Sequence, residues 1–293
     1  MKEKWYIDKY LPNRHSYHRI RKILFQKKTK FQKIQIFDLF DFGKSLIIDG
    51  IPQSSKKDEW IYHECLIHPS LILQPINKSL EVLVLGTGEG ATLREILKYK
   101  NIKKITAVDI DKEAVEIFQK FFYKIHQNSF WDPKVTLVFD SAENFLKRTT
   151  EKYDLIFFDI TDIIFFNLGK IKESPSNFFQ NIYKKLKKNG TFTMHTSNLT
   201  EVNYKTHFKM KRLLKKVFPK VYSYRVYIPF FSNYWGFLFA SPKVKFNPLK
   251  ISQKFIENKI KKHQLEKKLK YFSSEIYKSI FTLPPFLKKF EIL

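Results

Sequence analysis

Four acidic positions in this chain stand where a nucleoside and a cation could be held together. Each follows directly on an apolar run. Val82-Leu83-Val84-Leu85 leads into Gly86-Thr87-Gly88-Glu89-Gly90-Ala91, Ile105–Val108 into Asp109, and Val135–Phe139 into Asp140-Ser141. The fourth run, Leu155–Phe158, leads into Asp159-Ile160-Thr161-Asp162. Glycines after a strand let the backbone turn sharply and approach a ligand closely. Asp109 lies 23 residues after Gly86 (109 − 86), the arrangement in which a carboxylate grips ribose hydroxyls. The loop also satisfies G-x-G-x-x-A, which keeps an NAD-dependent dehydrogenase open. Glu89 speaks against a dinucleotide, because a carboxylate there repels a pyrophosphate. It opposes the carboxylate of ordinary S-adenosylmethionine less strongly. A nucleoside carrying a positive group would be welcome, and Glu89, Asp159 and Asp162 would form an anionic pocket for a second, cationic substrate. Asp and Ser also cap helices in this context, which accounts for one such acid more easily than for four.

The elements that must position these residues follow from their patterning. Runs buried on both faces and separated by helical segments read as a parallel sheet with right-handed crossovers. The helix after the glycine loop turns Leu93, Ile96 and Leu97 to one face; the next turns Ala114, Phe118, Phe121 and Phe122 inward. Phe192–Met194 reads as a fifth strand, and Val221–Val226 with Gly236–Ala240 as an antiparallel pair. A lysine-rich helical tail follows. Residues 1–58 read as strands punctuated by Asp41-Phe42-Gly43 and Asp49-Gly50. A helix spans Asp58–His68, where Pro69 interrupts it. The expected fold is α/β: a doubly wound, mostly parallel, Rossmann-like sheet of methyltransferase type over residues 59–293, preceded by a small N-terminal β domain over residues 1–58.

Composition bounds the function. Lysine and arginine total 54 against 28 acids, a formal charge of +26 over 293 residues. Such a charge invites a nucleic-acid reading through counterion release. Only 7 of those bases are arginine, however, and there are 30 phenylalanines to 5 alanines. Lysine, phenylalanine, isoleucine and asparagine share A/T-rich codons, and arginine, the residue of bidentate phosphate and base readout, is scarce. Nucleic acid is not expected as the main partner. The single cysteine, Cys65, excludes an internal disulfide and fits a reducing, cytoplasmic setting. The N-terminus has no apolar core of a secretory leader, and the oiliest stretch, Leu155–Leu168, is broken by Asp159, Asp162 and Asn167. No membrane association is expected.

Taken in order, these motifs resemble the polyamine aminopropyltransferases, the spermidine synthase family, over nearly the whole chain. The resemblance runs through Phe31-Gln32, Leu46–Gln53 (DGxxQ), Asp58–Glu64 (DExxYHE), the glycine loop, Leu93-Arg94-Glu95, Val108–Asp111, Asp140 and Asp159–Asp162 (DxTD). It closes on Ile228-Pro229, Gly236-Phe237 and Leu283-Pro284-Pro285. It implies transfer of an aminopropyl group from decarboxylated S-adenosylmethionine, a co-substrate rather than a tightly bound cofactor, to an amine such as putrescine, agmatine or spermidine. Gln32, Gly86, Gly88, Asp109, Ile110, Asp140 and Ser141 would hold the nucleoside. Gln53, His63, Glu89, Asp162, Phe231 and Trp235 would meet the acceptor or the aminopropyl ammonium. Asp159 would accept the proton, with Tyr62 beside it, and the assembly would be a homodimer or homotetramer. The Phe231 and Tyr234-Trp235-Gly236 region is more similar to members acting on agmatine or longer amines.

The chain also departs from that pattern. Ile163-Ile164-Phe165-Phe166 follows the DxTD pair without the usual proline, and reads as local packing more than as a gate. His195 stands where many members have glutamine. Two other classes remain open from residues alone: a methyltransferase or NAD enzyme of the same architecture, and a binding protein without turnover. His63-x-Cys65-x-x-His68 has a metal-like spacing but no evident fourth ligand, so no metal is expected. His15 and His18 read as surface residues, and the lysines at 259–262 and 267–270 as a solvated helix face.

Overall fold

The computed structural model describes residues 3–11, 13–160, 174–243 and 247–292. Asp162 and the Ile163–Phe166 stretch lie outside the described residues. Five antiparallel strands, β1 (Lys4–Leu11), β2 (Arg14–Lys28), β3 (Lys33–Leu39), β4 (Gly43–Ile48) and β5 (Ile51–Ser55), form a meander in sequential order. The tight β4–β5 connection uses Asp49 and Gly50, both at positive φ (52° and 81°), as hairpin twist requires.

A second sheet holds β6 (Leu80–Leu85), β7 (Ile102–Asp109), β8 (Val135–Phe139), β9 (Tyr153–Phe158), β10 (Leu186–Asn198), β11 (Lys220–Ile228) and β12 (Asn233–Ser241). Its order is β11-β12-β10-β9-β6-β7-β8, parallel from β10 to β8 and antiparallel at β11 and β12. The chain runs outward from β6 through β7 to β8, then returns to β9 on the other side of β6. The reversal opens a crevice between the carboxyl ends of β6 and β9, where ligands of such sheets bind. Both strands are buried on both faces, which is why they read as unbroken apolar runs. The meander packs on this body through Ile34, Ile36, Leu46 and Ile48 against Ala114, Phe118, Phe122 and Ile125.

Several expectations are corrected. The helix expected to stop at Pro69 is α1 (Glu59–Leu71), with Pro69 inside it. Proline cannot donate to the carbonyl four residues back; the Tyr224 hydroxyl donates to that Cys65 carbonyl instead, at 2.8 Å. The fifth strand runs well beyond Phe192–Met194, taking in the lysines before Gly190. His18 is buried, stacked on Tyr6 and edge-on to Phe42 and Phe230, so only His15 is a surface residue. Phe121 is only partly buried, and the lysines at 267–270 are solvated but lie outside any helix.

Candidate active site

Two cavities adjoin at the crevice. The larger, about 380 Å³, is lined by Gln32, Gly86, Asp109, Ile110, Asp140 and Ser141. The smaller, about 60 Å³, is lined by Gln53, Tyr62, His63, Glu89, Phe231 and Trp235, with His195 as a further wall. Gly88, Ile48 and Asp159 border both. The structure thus gathers the sequence-predicted site residues around one crevice, Asp162 apart. Two more open, lysine-lined clefts of about 830 and 730 Å³ lie along the outer face; size alone would point there, but they lack the shared wall at Asp159.

Asp159 sits on the common wall because β9 ends against β6: its N–H donates to Leu85 O at 2.8 Å. Gly86, at φ 86°, lies so close that a Cβ there would come within 2.4 Å of the Asp159 carbonyl oxygen. Both carboxylate oxygens of Asp159 are engaged. Oδ1 accepts from the Tyr62 hydroxyl at 2.7 Å and Oδ2 from the Thr92 hydroxyl at 2.5 Å. Two donors on opposite oxygens fix the plane of the carboxylate against both cavities.

In the larger cavity, Asp109 accepts from the Thr87 N–H (3.0 Å) and hydroxyl (2.9 Å) and from the Asp111 N–H (3.0 Å). Burial pushes its carboxyl up, and those three donors draw it back. Capping accounts for its neighbours only in part. Asp111 caps α3 (Lys112–Phe121) through Ala114 N–H, and Ser141 caps the helix Ala142–Arg148 through Asn144 N–H. Asp111 also accepts from Gln32 Nε2 (3.1 Å) and the Thr29 hydroxyl (2.6 Å), so it ties the meander's loop to the rim.

In the smaller cavity, Glu89 is buried, and its Oε1 has no hydrogen-bond partner among the described residues. Burial raises this carboxyl on balance, against the pull of His63, whose Nε2 is 3.7 Å from Oε1, and of the nearby Ser54 hydroxyl. Burial also disfavours charge on His63, yet Glu59, Glu89 and Asp159 prevail and its pKa is raised to about 9. His195 goes the other way, lowered by burial. Its Nε2–H donates to Ile160 O (2.7 Å), leaving Nδ1 to accept from Trp235 Nε1–H (3.4 Å), with the two rings stacked. The metal-like spacing does not converge: His63 bonds Glu59, while His68 bonds Glu95 (2.8 Å) and Tyr99 (2.9 Å).

Sequence reasoning missed Thr92, Glu59 and Arg94 as site residues. Glu59 makes a two-pronged ion pair with Arg94 (2.8 and 2.9 Å) behind His63. The one available signal was Arg94 itself, an arginine in a chain whose positive charge is nearly all lysine.

Residues 59–251 match the spermine/spermidine synthase domain, and residues 4–56 match the spermidine synthase tetramerisation domain. The chain is 37% identical over 291 residues to a polyamine aminopropyltransferase of Sulfurisphaera tokodaii, covering 97% of this chain and 92% of that one. It is 34% identical to a polyamine aminopropyltransferase of Sulfolobus acidocaldarius, again covering 97% and 92%. Among solved structures, spermidine synthase from Thermotoga maritima superposes with a TM-score of 0.84 at 28% identity, covering 99% of this chain and 94% of that one. A spermidine synthase in complex with the transition state analogue AdoDATO superposes with a TM-score of 0.85 at 28% identity, covering 100% and 96%.

Proposed function

Since the chain belongs to the spermine/spermidine synthase family, we propose that the crevice between β6 and β9 carries out aminopropyl transfer with Asp159 as its base. The reaction moves an aminopropyl group from decarboxylated S-adenosylmethionine to an amine. In the proposed arrangement the larger cavity takes the nucleoside, with Asp109 on the ribose and Gln32, Ile110, Asp140 and Ser141 around the base. The smaller cavity takes the amine. The single observation that carries this reading is Asp159 on the wall common to both cavities, with each oxygen held by a hydroxyl donor.

The chemistry needs that placement. An alkylamine with a pKa of about 10 is almost wholly protonated at neutral pH and has no lone pair to give. Asp159 takes the proton. The freed nitrogen then attacks the carbon next to the sulfonium; the new C–N bond forms as the C–S bond breaks. Sulfur keeps the bonding pair and leaves as the neutral thioether of methylthioadenosine. Orienting nucleophile and leaving group in line across one wall is the kind of positioning that removes much of such a barrier. Glu89 offers its unpartnered oxygen to an ammonium, while Phe231 and Trp235 with Leu46, Ile48 and Pro52 flank the methylene chain.

The test is methylthioadenosine release from decarboxylated S-adenosylmethionine with putrescine, agmatine, spermidine or cadaverine, run beside Asp159→Asn. Loss of a general base costs about 10²–10⁴ in rate; an Asp159→Asn enzyme of wild-type rate would remove Asp159 from that role. The amine that supports release names the acceptor. An oligomer built through residues 4–56 is supported by the name of the family matched there, and chromatography with light scattering tests it. A cytoplasmic site is supported by the unpaired, buried Cys65; among the described residues no helix is long and apolar enough to cross a membrane.

A further inference from the structure

We propose that Glu59 and Arg94 are positioning residues that act through His63 on Glu89, keeping Glu89 open to a cation. The inference rests on the reading of the smaller cavity as the amine site. Its basis is a chain of contacts that starts outside that cavity. Arg94, on α2 (Ala91–Leu97), directs Nη1 and Nη2 to the two oxygens of Glu59, and donates through Nε to Glu95 (2.8 Å) and through Nη1 to Ile125 O (2.7 Å). Neither terminal nitrogen can turn without breaking a bond, so Glu59 is fixed in position and in charge. Glu59 in turn lies one helical turn before His63 on α1, where Nδ1 meets its carboxylate at 3.0 Å and its carbonyl at 2.7 Å. With Nδ1 occupied by two acceptors, that nitrogen must carry a proton, and the ring's other edge, Nε2, faces Glu89 at 3.7 Å.

The consequence falls on Glu89. It is buried, and Oε1 lacks a hydrogen-bond donor among the described residues. Left alone, a carboxylate so placed takes up a proton, and a protonated Glu89 has no charge to offer an ammonium. The groups facing His63 are Glu59 from α1, Glu89 from the β6–α2 loop and Asp159 from the end of β9. Tyr62 stands edge-on to it. His195 on β10, which contacts Tyr62, is kept neutral by burial. Three acids therefore face one imidazole, and the Arg94–Glu59 pair keeps it charged. His63 adds a positive charge to a pocket for cations, but it sits against Glu89 without a hydrogen bond to it. An incoming ammonium can thus take the free Oε1.

The test compares wild type with Glu59→Gln, His63→Gln and the double variant, all in the full-length protein. In ¹⁵N-labelled wild type, His63 should titrate near pH 9; a value at or below about 6.5, the ordinary histidine value, overturns the proposal and needs no variant to fold. In Glu59→Gln, the His63 titration should fall by at least about two units once its main partner is neutral. Removing Glu59 also relieves Glu89 of a distant like charge, but the nearer charge lost is that of His63, so Glu89 is left easier to protonate. The KM for the amine relative to wild type should then rise by about tenfold at pH 7 and converge on wild type as pH is raised, with kcat changed far less. Non-additivity of the two single substitutions is expected if Glu59 acts through His63. A KM ratio flat across pH, or fully additive effects, overturns the inference. If no variant, wild type included, releases methylthioadenosine, the reading of the pocket falls while the titration still judges the clamp.

Discussion

Thr92→Val is the sharpest perturbation this site allows. Valine has nearly the shape of threonine and keeps the β-branch, so the buried side chain of α2 continues to fill its space. It deletes one thing, the hydroxyl that donates to Asp159 Oδ2 at 2.5 Å. A hydrogen bond to a charged group contributes about 1.5–3 kcal/mol. The Tyr62 bond to Oδ1, 2.7 Å long, would remain. A carboxylate held at one oxygen can swing about its Cβ–Cγ bond, and under the proposed mechanism it would then no longer point at the amine proton. If that bond energy is fully realised in the transition state, each 1.36 kcal/mol costs tenfold, so kcat should fall by roughly 10- to 100-fold.

The assay is steady-state methylthioadenosine release with both KM values measured. Thr92 is not in the lining of either cavity, so the nucleoside KM should stay within about twofold. Tyr62→Phe removes the opposite donor, and because both hold one group the double variant should lose less than the product of the single losses. A Thr92→Val enzyme with wild-type kcat would refute the reasoning, since it would show that Asp159 works without being held at both oxygens. A fall in thermal stability alone would not explain a lowered kcat measured well below the transition.

Three further outcomes are expected. Gly86→Ala should cost both stability and kcat, because the added carbon meets Asp159 O at 2.4 Å in a left-handed backbone. Gly88→Ala meets nothing within 4 Å among the described residues, so its stability should fall only by the strain of its conformation, about 1–3 kcal/mol, while its added carbon enters space that borders both cavities; thermal melts beside kcat will separate the effects. Acid should unfold the protein in part through His207, whose pKa burial pushes down to about 3. Its unfolded value is about 6.5, so its neutral form contributes full stability above pH 6.5 and loses it as pH falls toward 3. His207→Gln should flatten the melting-temperature profile in that window, and an unchanged profile would exclude the group. Substrate capture should weaken as salt falls, because a +26 chain repels cations over a Debye length of about 8 Å at physiological salt and further at lower salt; kcat/KM indifferent to ionic strength would remove that repulsion from consideration.

The crevice was legible in the sequence because its strands are buried on both faces and its acids stand directly after them. Asp109 and Asp159 could be placed by topology before any coordinate was known. What escaped notice is what depends on distant packing. The fifth strand reads as Phe192–Met194 alone, since nothing local shows that Lys187 reaches the buried Asp154 and the half-buried Glu81 at 2.9 Å. His18 carries no mark of its burial under Phe230, more than two hundred residues away. Thr92 and Asp159, 67 residues apart, become neighbours only once β6 and β9 pair. Composition misled in the same way: a lysine excess of the kind A/T-rich codons produce draws attention away from Arg94, the arginine that clamps Glu59 behind His63.

The helix α1 shows why such residues resist detection one at a time. Twelve of its thirteen residues are buried, so it has no solvated face to set a period. Its polar residues divide among three neighbours instead. Tyr62 and His63 line the crevice, and Glu59, one turn before His63, backs it from outside the cavity. Glu64 turns away and accepts the N–H groups of Lys270, Tyr271 and Phe272, at 2.8–2.9 Å, fastening the C-terminal segment. His68 meets Glu95 and Tyr99 on a third side. Each burial is tolerable because a specific partner meets the polar group. Partners on α2, β11 and the C-terminal segment therefore all constrain where α1 holds Tyr62 and His63. A substitution at Glu64, which touches neither cavity's contents, should for that reason shift α1 and lower kcat. Glu64→Gln retains one acceptor oxygen and should do so mildly, whereas Glu64→Ala leaves three N–H groups unpaired at about 1–3 kcal/mol each. An Ala variant that loses stability yet keeps full kcat at low temperature would show that α1 is held from the crevice side alone.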